Sequence, residues 1–310
     1  MGDTTIEWAD KSWNPMSGCS KVSPGCAHCY AERMAKRLAG RCGYPADNPF
    51  QVTLHPERLE EPLRWQKPSR IFVCSMGDLF HPLVPWAFTL DVWRIMEKCP
   101  QHQFMVLTKR PERMRLRVRD LVTWPNLPGI LPNVWLGVTA ENQQMADERI
   151  PLLLATPAAK RFVSIEPMLG PVGLTRIQSN KHTVLNALDG CGHYSGPGLS
   201  GQMLPSFLCN KLDLVILGGE TGPGARPMHP DWARRVRDDC IEAGVPFFLK
   251  QHGEYLHESQ LVRPHELWMY EKARPHLFDG HDGAYIKVGK RAAGRLLDGR
   301  EWNGDLEGEP

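Results

Sequence analysis

The sequence predicts an α/β protein built as a full or partial (β/α) barrel. From about residue 50 onward, short β-branched or apolar runs alternate with windows in which apolar residues recur at helical spacing, the pattern of repeated βα units around a parallel sheet. With a short first strand at TTIEW (4–8), these runs number eight, which suits such a barrel. A doubly wound open sheet is the alternative, because sequence does not show whether a sheet closes.

The predicted strands are short runs of β-branched and apolar residues bounded by turn-forming residues. After TTIEW they are QVTL (51–54), RIFVCS (70–75), QFMVLT (103–108), NVWLGVT (133–139), RFVSIE (161–166), LDLVILGG (212–219) and PFFLK (246–250).

The predicted helices carry apolar stripes at a spacing of three or four residues. These stripes are Tyr30, Met34 and Leu38; Trp86, Leu90, Trp93 and Met96; and Trp232, Val236 and Cys240. Aromatic and apolar stripes at this spacing usually pack into the core, so we interpret them as core residues rather than as groups that stack on a cofactor.

Two segments depart from the βα rhythm. Residues 175–211 are polar and rich in glycine, and we interpret them as an insertion or a mobile lid. Residues 254–310 show no clear βα repeat, which indicates a C-terminal extension. The predicted organisation is therefore a barrel domain over 1–253, interrupted by the insertion, and an extension over 254–310.

Composition excludes several classes of protein. The chain has 310 residues, 42% of them apolar, and a formal net charge of +2, which is too mild for an obligatory polyanion-binding protein. No run of eighteen apolar residues is present, and the first residues lack the apolar core of a secretory signal. We therefore expect a cytoplasmic protein that does not enter a membrane.

Three of the nine cysteines form a cluster in the sequence. Cys19, Cys26 and Cys29 have the spacing C-x6-C-x2-C on a loop rich in Gly, Ser and Pro, just before a helical pattern. The other six are scattered and are expected to be free thiols in mostly buried places. These are Cys42, Cys74, Cys99, Cys191, Cys209 and Cys240.

Three clustered thiolates point to a metal centre with one open position. A structural zinc ion requires four ligands, and no fourth stands at a usual spacing, because Cys42 lies thirteen residues further on and His28 lies inside the C-x-x-C pair. An iron–sulfur cube tolerates three protein thiolates and leaves one iron open to another ligand. A zinc site and simple buried thiols remain as alternatives.

Polar residues stand where the predicted strands end, which is where parallel α/β proteins carry their chemistry. We select Asp78, Lys109, Arg110, Lys250 and Gln251 as candidate substrate contacts. Glu166, at another strand end, is expected either to contact ribose hydroxyls or to pair with Arg110.

A glycine-rich strand end and a basic helix complete the candidates. Gly218, Gly219 and Glu220 leave their strand without bulky side chains, so backbone amides and the Glu220 carboxylate are available to a ligand; a tight structural turn is the alternative. The segment KRPERMRLRVR (109–119) places six basic residues around one short helix, either as phosphate contacts or as a solvated helix face.

The sequence resembles a phage and prokaryotic three-cysteine-motif family related to radical S-adenosylmethionine (SAM) enzymes, over roughly residues 4–255. The stretches that carry the resemblance are TTIEWADKSWNPMSGCSKVSPGCAHCYAERMAKR, FVCSMGDLFHP, LTKRPERM, GVTAEN, SIEPMLGP, LDLVILGGETG, ARPMHPDWARRVRDDC and PFFLKQHGEY. The spacing differs from the C-x3-C-x2-C of most radical SAM enzymes, since six residues separate Cys19 from Cys26.

The resemblance implies a barrel of the radical SAM type and two cofactors. A 4Fe-4S cluster on Cys19, Cys26 and Cys29 would bind the amino and carboxylate groups of SAM at its open iron and yield a 5′-deoxyadenosyl radical. His28 matches the position that packs near the adenine of SAM, with a solvated loop histidine as the alternative. Gly218–Glu220 resembles a segment that holds the methionine amino group, and Glu166 is expected near the ribose.

The resemblance also implies a substrate class, an electron donor and a phage setting in the host cytoplasm. Phage DNA bases are often hypermodified to evade host nucleases, so the specific hypothesis is an isomerase that converts N-linked into C-linked glycinyl-thymidine in DNA, alongside other DNA-modification enzymes. One alternative is a radical SAM lyase that repairs DNA. Another is a non-catalytic zinc- or cluster-bearing module that binds nucleic acid.

Overall fold

The computed structural model describes residues 4–125, 129–194, 207–260, 276–278 and 282–304. Its strands in chain order are β1 (Lys11–Trp13), β2 (Met16–Ser17), β3 (Thr53–Leu54), β4 (Arg70–Val73), β5 (Gln103–Thr108), β6 (Val134–Thr139), β7 (Lys160–Ile165), β8 (Ile177–Asn180), β9 (Thr183–Asn186), β10 (Cys191–Tyr194), β11 (Phe207–Leu208), β12 (Leu214–Gly218), β13 (Phe247–Gln251), β14 (Tyr255–His257) and β15 (Tyr285–Lys287). Its α-helices are α1 (Tyr30–Arg37), α2 (Trp86–Glu97), α3 (Pro111–Thr123), α4 (Gln143–Leu154), α5 (Pro230–Glu242) and α6 (Lys290–Ala293).

The main sheet has seven strands in the order β1-β4-β5-β6-β7-β12-β13. Its strands follow one another in chain order without a reversal, and the pairs β1–β4, β4–β5, β5–β6 and β12–β13 are parallel. A doubly wound sheet reverses direction at a switch point, so this order excludes that alternative. The predicted α/β class is confirmed, in the partial rather than the eight-stranded form of a (β/α) barrel.

Two predicted strands are wrong in place or role. The first strand of the main sheet is Lys11–Trp13 rather than TTIEW, and Trp13 at its end is fully buried. QVTL provides only Thr53–Leu54, which pairs antiparallel with Met16–Ser17 outside the main sheet. The main sheet therefore has seven strands instead of the expected eight, because Thr53–Leu54 pairs with the segment just before Cys19 and does not join the main sheet.

The chain divides into two compact units. One contains residues up to 139 together with 148–162, and the other contains 140–147 and most residues from 163 to 308. In the first unit β4 and β5 bury Ile71, Val73 and Phe104. In the second unit every residue of β12 is buried. The domain boundary expected near residue 254 stays a prediction.

The predicted helical stripes are partly correct. Trp93 and Met96 of α2 are buried, as are Val236 and Cys240 of α5. In α1 the buried residues are instead Ala31 and Ala35, and Tyr30 is exposed. The small side chains of Ala31 and Ala35 let α1 pack closely, so the buried face of this helix is not the predicted stripe of Tyr30, Met34 and Leu38.

The insertion contains its own sheet. Strands β11, β10, β9 and β8 form a four-stranded antiparallel sheet in that order. Residues 195–206 lie outside the described part of the chain. The described part of the insertion is thus a small β-unit and not a βα repeat, and its action as a lid stays a prediction.

The C-terminal extension contributes a second small sheet and covers a strand edge. β14 and β15 pair antiparallel, while residues 261–275, 279–281 and 305–310 fall outside the described residues. Leu249 of β13 donates its backbone N–H to the carbonyl of Trp302 at 2.9 Å, and Phe248 forms a bridge with Asn303. Among the described helices, none has the length and apolar character needed to cross a membrane.

Candidate functional site

The loop that carries Cys19 is held on both sides by backbone contacts. Gly18 donates its N–H to the carbonyl of Met76 at 2.9 Å, and Cys19 donates to the carbonyl of Phe50 at 3.2 Å. Gly18 has φ of +85°, and a Cβ there would lie 2.0 Å from the carbonyl oxygen of Gln51. Only glycine fits this position, so the backbone itself fixes where Cys19 leaves the strand.

We expect Gly18→Ala to destabilise the protein by more than about 2 kcal/mol, because the left-handed backbone alone costs a non-glycine residue about 1–2 kcal/mol and the clash with Gln51 adds to it. Gly244→Ala is the matched control, since Gly244 also has positive φ but no atom within 4 Å of the place that a Cβ would occupy. Urea unfolding of both variants measures the difference, and equal losses would contradict the steric argument.

The second and third cysteines sit on adjoining helical turns. Cys26 ends a 3₁₀ turn, Pro24–Cys26, and its thiol lies 3.8 Å from the hydroxyl of Ser23. Cys29 is the N-cap residue of α1. The 3₁₀ turn and the start of α1 therefore fix the backbone positions of Cys26 and Cys29.

The three thiols are available as metal ligands. All nine cysteines are free, and Cys19, Cys26 and Cys29 are half-buried. A structural zinc ion requires four protein ligands, whereas an iron–sulfur cluster tolerates three thiolates and leaves one iron open.

A buried ion pair at the strand ends reaches the Cys19 sulfur. Arg110, at the N-cap of α3, donates from Nη1 to Asp78 Oδ2 at 2.8 Å and to Cys19 Sγ at 3.3 Å. Asp78 also accepts from the hydroxyl of Thr108 at 2.8 Å. Asp78 and Arg110 are candidate substrate contacts by sequence, but their contacts here position the cysteine loop.

Two further side chains extend this network. Arg110 Nη2 donates to the carbonyl and the hydroxyl of Ser20 at 2.9 and 3.0 Å, and the same hydroxyl lies 2.9 Å from His81 Nε2. His81 Nδ1 accepts from the backbone N–H of Leu83, so its proton sits on Nε2. Ser20, His81 and Thr108 are not among the residues selected from sequence, although His81 belongs to the same motif as Asp78, three residues away.

The thiols of Cys26 and Cys19 have pKa values shifted in opposite directions. Burial raises the pKa of Cys26, but the Lys109 ammonium and hydrogen bonds from Val22 and Ser23 outweigh it, so the net pKa lies below its ordinary value. Burial and then the Asp78 carboxylate raise the pKa of Cys19 by more than Arg110 lowers it. Lys109 is therefore placed beside a cysteine, as well as at a strand end.

We expect Cys26 to be alkylated faster than Cys19 in metal-free protein at neutral pH. A lower pKa gives Cys26 the larger thiolate fraction, and the thiolate is the reactive form. Timed iodoacetamide labelling followed by peptide mass mapping measures the two rates, with buried Cys74 as the unreactive control. Faster labelling of Cys19 would contradict the predicted order.

His28 is half-buried and lies in the chain between the candidate ligands Cys26 and Cys29. Its proposed contact with the adenine of SAM stays a prediction. Its position on the same short turn as Cys26 and Cys29 is compatible with either that role or a structural one.

In the second unit, Glu166 is bound by residues at the end of β13. Its Oε1 accepts from Lys250 Nζ at 2.8 Å and from Gln251 Nε2 at 3.2 Å. The partner of Glu166 is thus Lys250, and Arg110 pairs with Asp78 instead. Oε1 of Gln251 is buried without a hydrogen-bond partner among the described residues, and is an acceptor available to a ligand.

The contacts of Gly218, Gly219 and Glu220 favour a tight structural turn over a ligand-binding segment. A Cβ on Gly219 would lie 2.0 Å from the carbonyl oxygen of His252, so this glycine permits close packing of two chain segments. Glu220 is buried, and its carboxylate accepts hydrogen bonds from Nε and Nη2 of Arg226 at 2.8 and 2.6 Å. Gly218 leaves ordinary space beside the Glu166 side chain. Their roles in binding SAM stay predictions.

The basic helix α3 carries both structural and exposed arginines. Arg113 donates to the carbonyls of Phe80 and Pro82, at 3.1 and 3.4 Å, while Arg115 is exposed. The Arg117 guanidinium lies 5.2 Å from the ring of Trp86, which in turn lies 5.8 Å from the half-exposed Trp124. Cations interleaved with aromatic rings form a surface suited to bases and phosphates.

Solved structures of spore photoproduct lyase resemble this chain at a low level. The lyase complexed with dinucleoside spore photoproduct has a TM-score of 0.42 and 9% identity, covering 93% of this chain and 71% of that chain. A mutant of the lyase has a TM-score of 0.40 and 11% identity with the same coverage. Similarity this weak assigns neither a cofactor nor a reaction.

Sequence comparison with curated proteins finds no match. A family model described as a protein of unknown function, DUF5131, matches residues 3–305. Since this match covers nearly the whole chain, the protein belongs to the DUF5131 family.

Proposed function

We propose that this protein is a radical SAM enzyme whose 4Fe-4S cluster is held by Cys19, Cys26 and Cys29. The observation that supports the proposal is the cysteine loop: three free, half-buried thiols lie on the short segment that leads into α1, and Arg110 donates a hydrogen bond to the Cys19 sulfur. Their residue types and number fit a cluster with one open iron. With SAM, such a cluster supplies a 5′-deoxyadenosyl radical that abstracts hydrogen from an unactivated carbon.

The surrounding residues have defined roles in this proposal. Gly18 and the backbone contacts around it orient Cys19, and the start of α1 fixes the backbone position of Cys29. Arg110 donates to the Cys19 sulfur, and a hydrogen bond from a cation to a ligating sulfur favours the reduced form of a cluster. Asp78 keeps Arg110 in place.

For the substrate we propose a modified pyrimidine in DNA, with glycinyl-thymidine converted from its N-linked to its C-linked isomer. Support comes from α3, which presents exposed arginines beside the Trp86–Trp124 pair in the same unit as the cysteines. Abstraction of a hydrogen beside an amine allows the linkage to move from nitrogen to carbon, and return of the hydrogen leaves an isomer of identical mass. An external electron donor would start the reaction.

The test is anaerobic reconstitution with iron and sulfide, followed by incubation with SAM, dithionite and DNA that carries the adduct. Nucleosides are then analysed by mass spectrometry. We expect 5′-deoxyadenosine together with an isobaric nucleoside of shifted retention time. A product of lower mass would indicate a lyase. Failure to form 5′-deoxyadenosine under any of these conditions would overturn the radical SAM proposal.

We expect the double variant Arg115→Gln/Arg117→Gln to bind DNA more weakly and with a flatter salt dependence. Each lost phosphate contact lowers the slope of log K against log[salt] by about 0.9 for duplex DNA. Arg113 is not changed, because it donates a hydrogen bond to the backbone carbonyl of Phe80 and its loss would affect the fold. Fluorescence anisotropy over a salt series measures the slope, and Arg291→Gln, at an exposed arginine in the other unit, is the control. An unchanged slope would remove α3 from the proposed interface.

A further inference from the structure

Two histidines and one aspartate from distant parts of the second unit meet at one point. His229 is the N-cap residue of α5, His257 ends β14, and Asp282 lies shortly before β15. The two imidazoles are buried, whereas the Asp282 side chain is 88% exposed. The cluster lies outside all the residues used in the proposed reaction.

The ligand atoms of this cluster converge. Within the described residues, His229, His257 and Asp282 form the group of three whose ligand atoms all lie within 4.8 Å of one another. His229 Nε2 lies 2.9 Å from Asp282 Oδ1, and His257 Nε2 lies 2.9 Å from the Asp282 carbonyl. The two imidazole rings stand with their centroids 4.7 Å apart.

A buried nitrogen at the centre of the cluster lacks a hydrogen bond. His229 Nε2 is inaccessible to solvent and has no hydrogen-bond partner among the described residues, because its short contact with Asp282 does not have hydrogen-bond geometry. A buried polar nitrogen without a hydrogen bond calls for a partner, and a cation shared with the facing carboxylate would provide one.

The backbone is shaped to bring Asp282 to the histidines. Gly283, the next residue, has φ of +74°, and a Cβ there would lie 2.3 Å from His257 Nε2 and 2.9 Å from Glu258 Oε1. Any other residue at position 283 would push the chain away from the imidazole. The approach of Asp282 to His257 therefore depends on a glycine.

We propose that His229, His257 and Asp282 bind a divalent metal ion of the zinc type. Two imidazole nitrogens and one carboxylate form a ligand set that zinc accepts, with a water molecule in the fourth position, and the exposed side of Asp282 leaves room for that water. The ion would connect α5, β14 and the segment before β15 within one unit.

Binding of such an ion requires a proton shift on both imidazoles. Each Nδ1 now accepts a backbone N–H, from Asp231 at 3.1 Å for His229 and from Ser259 at 3.2 Å for His257. Metal binding at Nε2 moves the remaining proton to Nδ1, so each Nδ1 must exchange its backbone donor for an oxygen acceptor. The Ser259 hydroxyl lies 2.8 Å from His257 Nδ1, and a carboxylate oxygen of Asp231 lies 3.9 Å from His229 Nδ1.

The test is titration with Co²⁺ and Zn²⁺ in the full chain carrying Cys19→Ala, Cys26→Ala and Cys29→Ala, which removes the competing thiolates. We expect one ion per chain, visible d–d absorption without thiolate-to-cobalt charge transfer, and a higher melting temperature with Zn²⁺. Asp282→Asn should abolish binding; this exposed residue is replaceable without loss of fold. Ser259→Ala should weaken binding about 10–100-fold, as loss of an outer hydrogen-bond partner does.

His193→Ala is the matched control, because His193 is an exposed histidine of the same unit. Failure of the triple-cysteine variant to bind either ion would overturn the proposal. So would binding that survives both Asp282→Asn and His257→Ala, or binding seen only in the parent chain and accompanied by thiolate charge transfer. The cysteine-centred function is unaffected by these outcomes, since the triple variant lacks that site.

Discussion

Replacement of any one of Cys19, Cys26 or Cys29 by alanine is expected to abolish the brown colour and nearly all bound iron of anaerobically prepared protein. A cluster held by three protein thiolates has no spare protein ligand, so loss of one leaves two irons without protein contact. Iron and acid-labile sulfide analysis should fall from about four of each per chain towards zero.

Cys42→Ala is the matched control, because Cys42 is an exposed cysteine of the same unit and the nearest one in sequence. We expect it to retain its iron and its visible spectrum. If Cys42→Ala also loses the colour, Cys42 is a fourth ligand and the centre has no open position. Zinc in place of iron in the parent protein would support the non-catalytic module.

Removal of the Asp78 carboxylate is expected to cause a large loss of stability in the first unit. Asp78→Ala leaves the guanidinium of Arg110 buried without its carboxylate, and removing one partner of a buried ion pair costs about 3–5 kcal/mol. The Thr108 hydroxyl also loses its acceptor. Urea unfolding of the metal-free protein measures the effect.

Asp91→Ala, at an exposed position on α2, is the control and should change stability by less than about 0.5 kcal/mol. Adding Arg110→Met to Asp78→Ala should recover part of the loss, because the uncompensated charge is then gone. A loss below about 1 kcal/mol for Asp78→Ala would show that water reaches Arg110 and that the pair does not fix the cysteine loop.

Much of the barrel follows from sequence because its strands have distinct apolar runs. β4, β5, β6, β7, β12 and β13 all coincide with predicted strands to within two residues at either end. The first strand does not, since Lys11–Trp13 has only three residues and a mixed composition. QVTL has strand character but pairs locally, and local composition does not specify which partner a strand chooses.

The candidate site is predictable to the extent that its residues lie in one motif. The cysteines and the strand-end residues Asp78 and Arg110 are visible in sequence, but their mutual contact is not, because 32 residues separate the pair and 91 separate Arg110 from Cys19. The pairing of Glu220 with Arg226 is hidden for a different reason. A carboxylate beside glycines suits either a ligand or an arginine, and only the fold decides.

The contact between Trp302–Asn303 and β13 has a consequence for solubility. β13 is an outer strand of the main sheet, and an uncovered outer strand offers its free N–H and C=O groups to a strand from another molecule. Trp302 and Asn303 occupy part of that outer side and leave less of it open to intermolecular pairing. In a chain shortened before Trp302, the backbone N–H and C=O groups on the outer side of β13 would be exposed. We expect such a chain to self-associate more readily than the full chain.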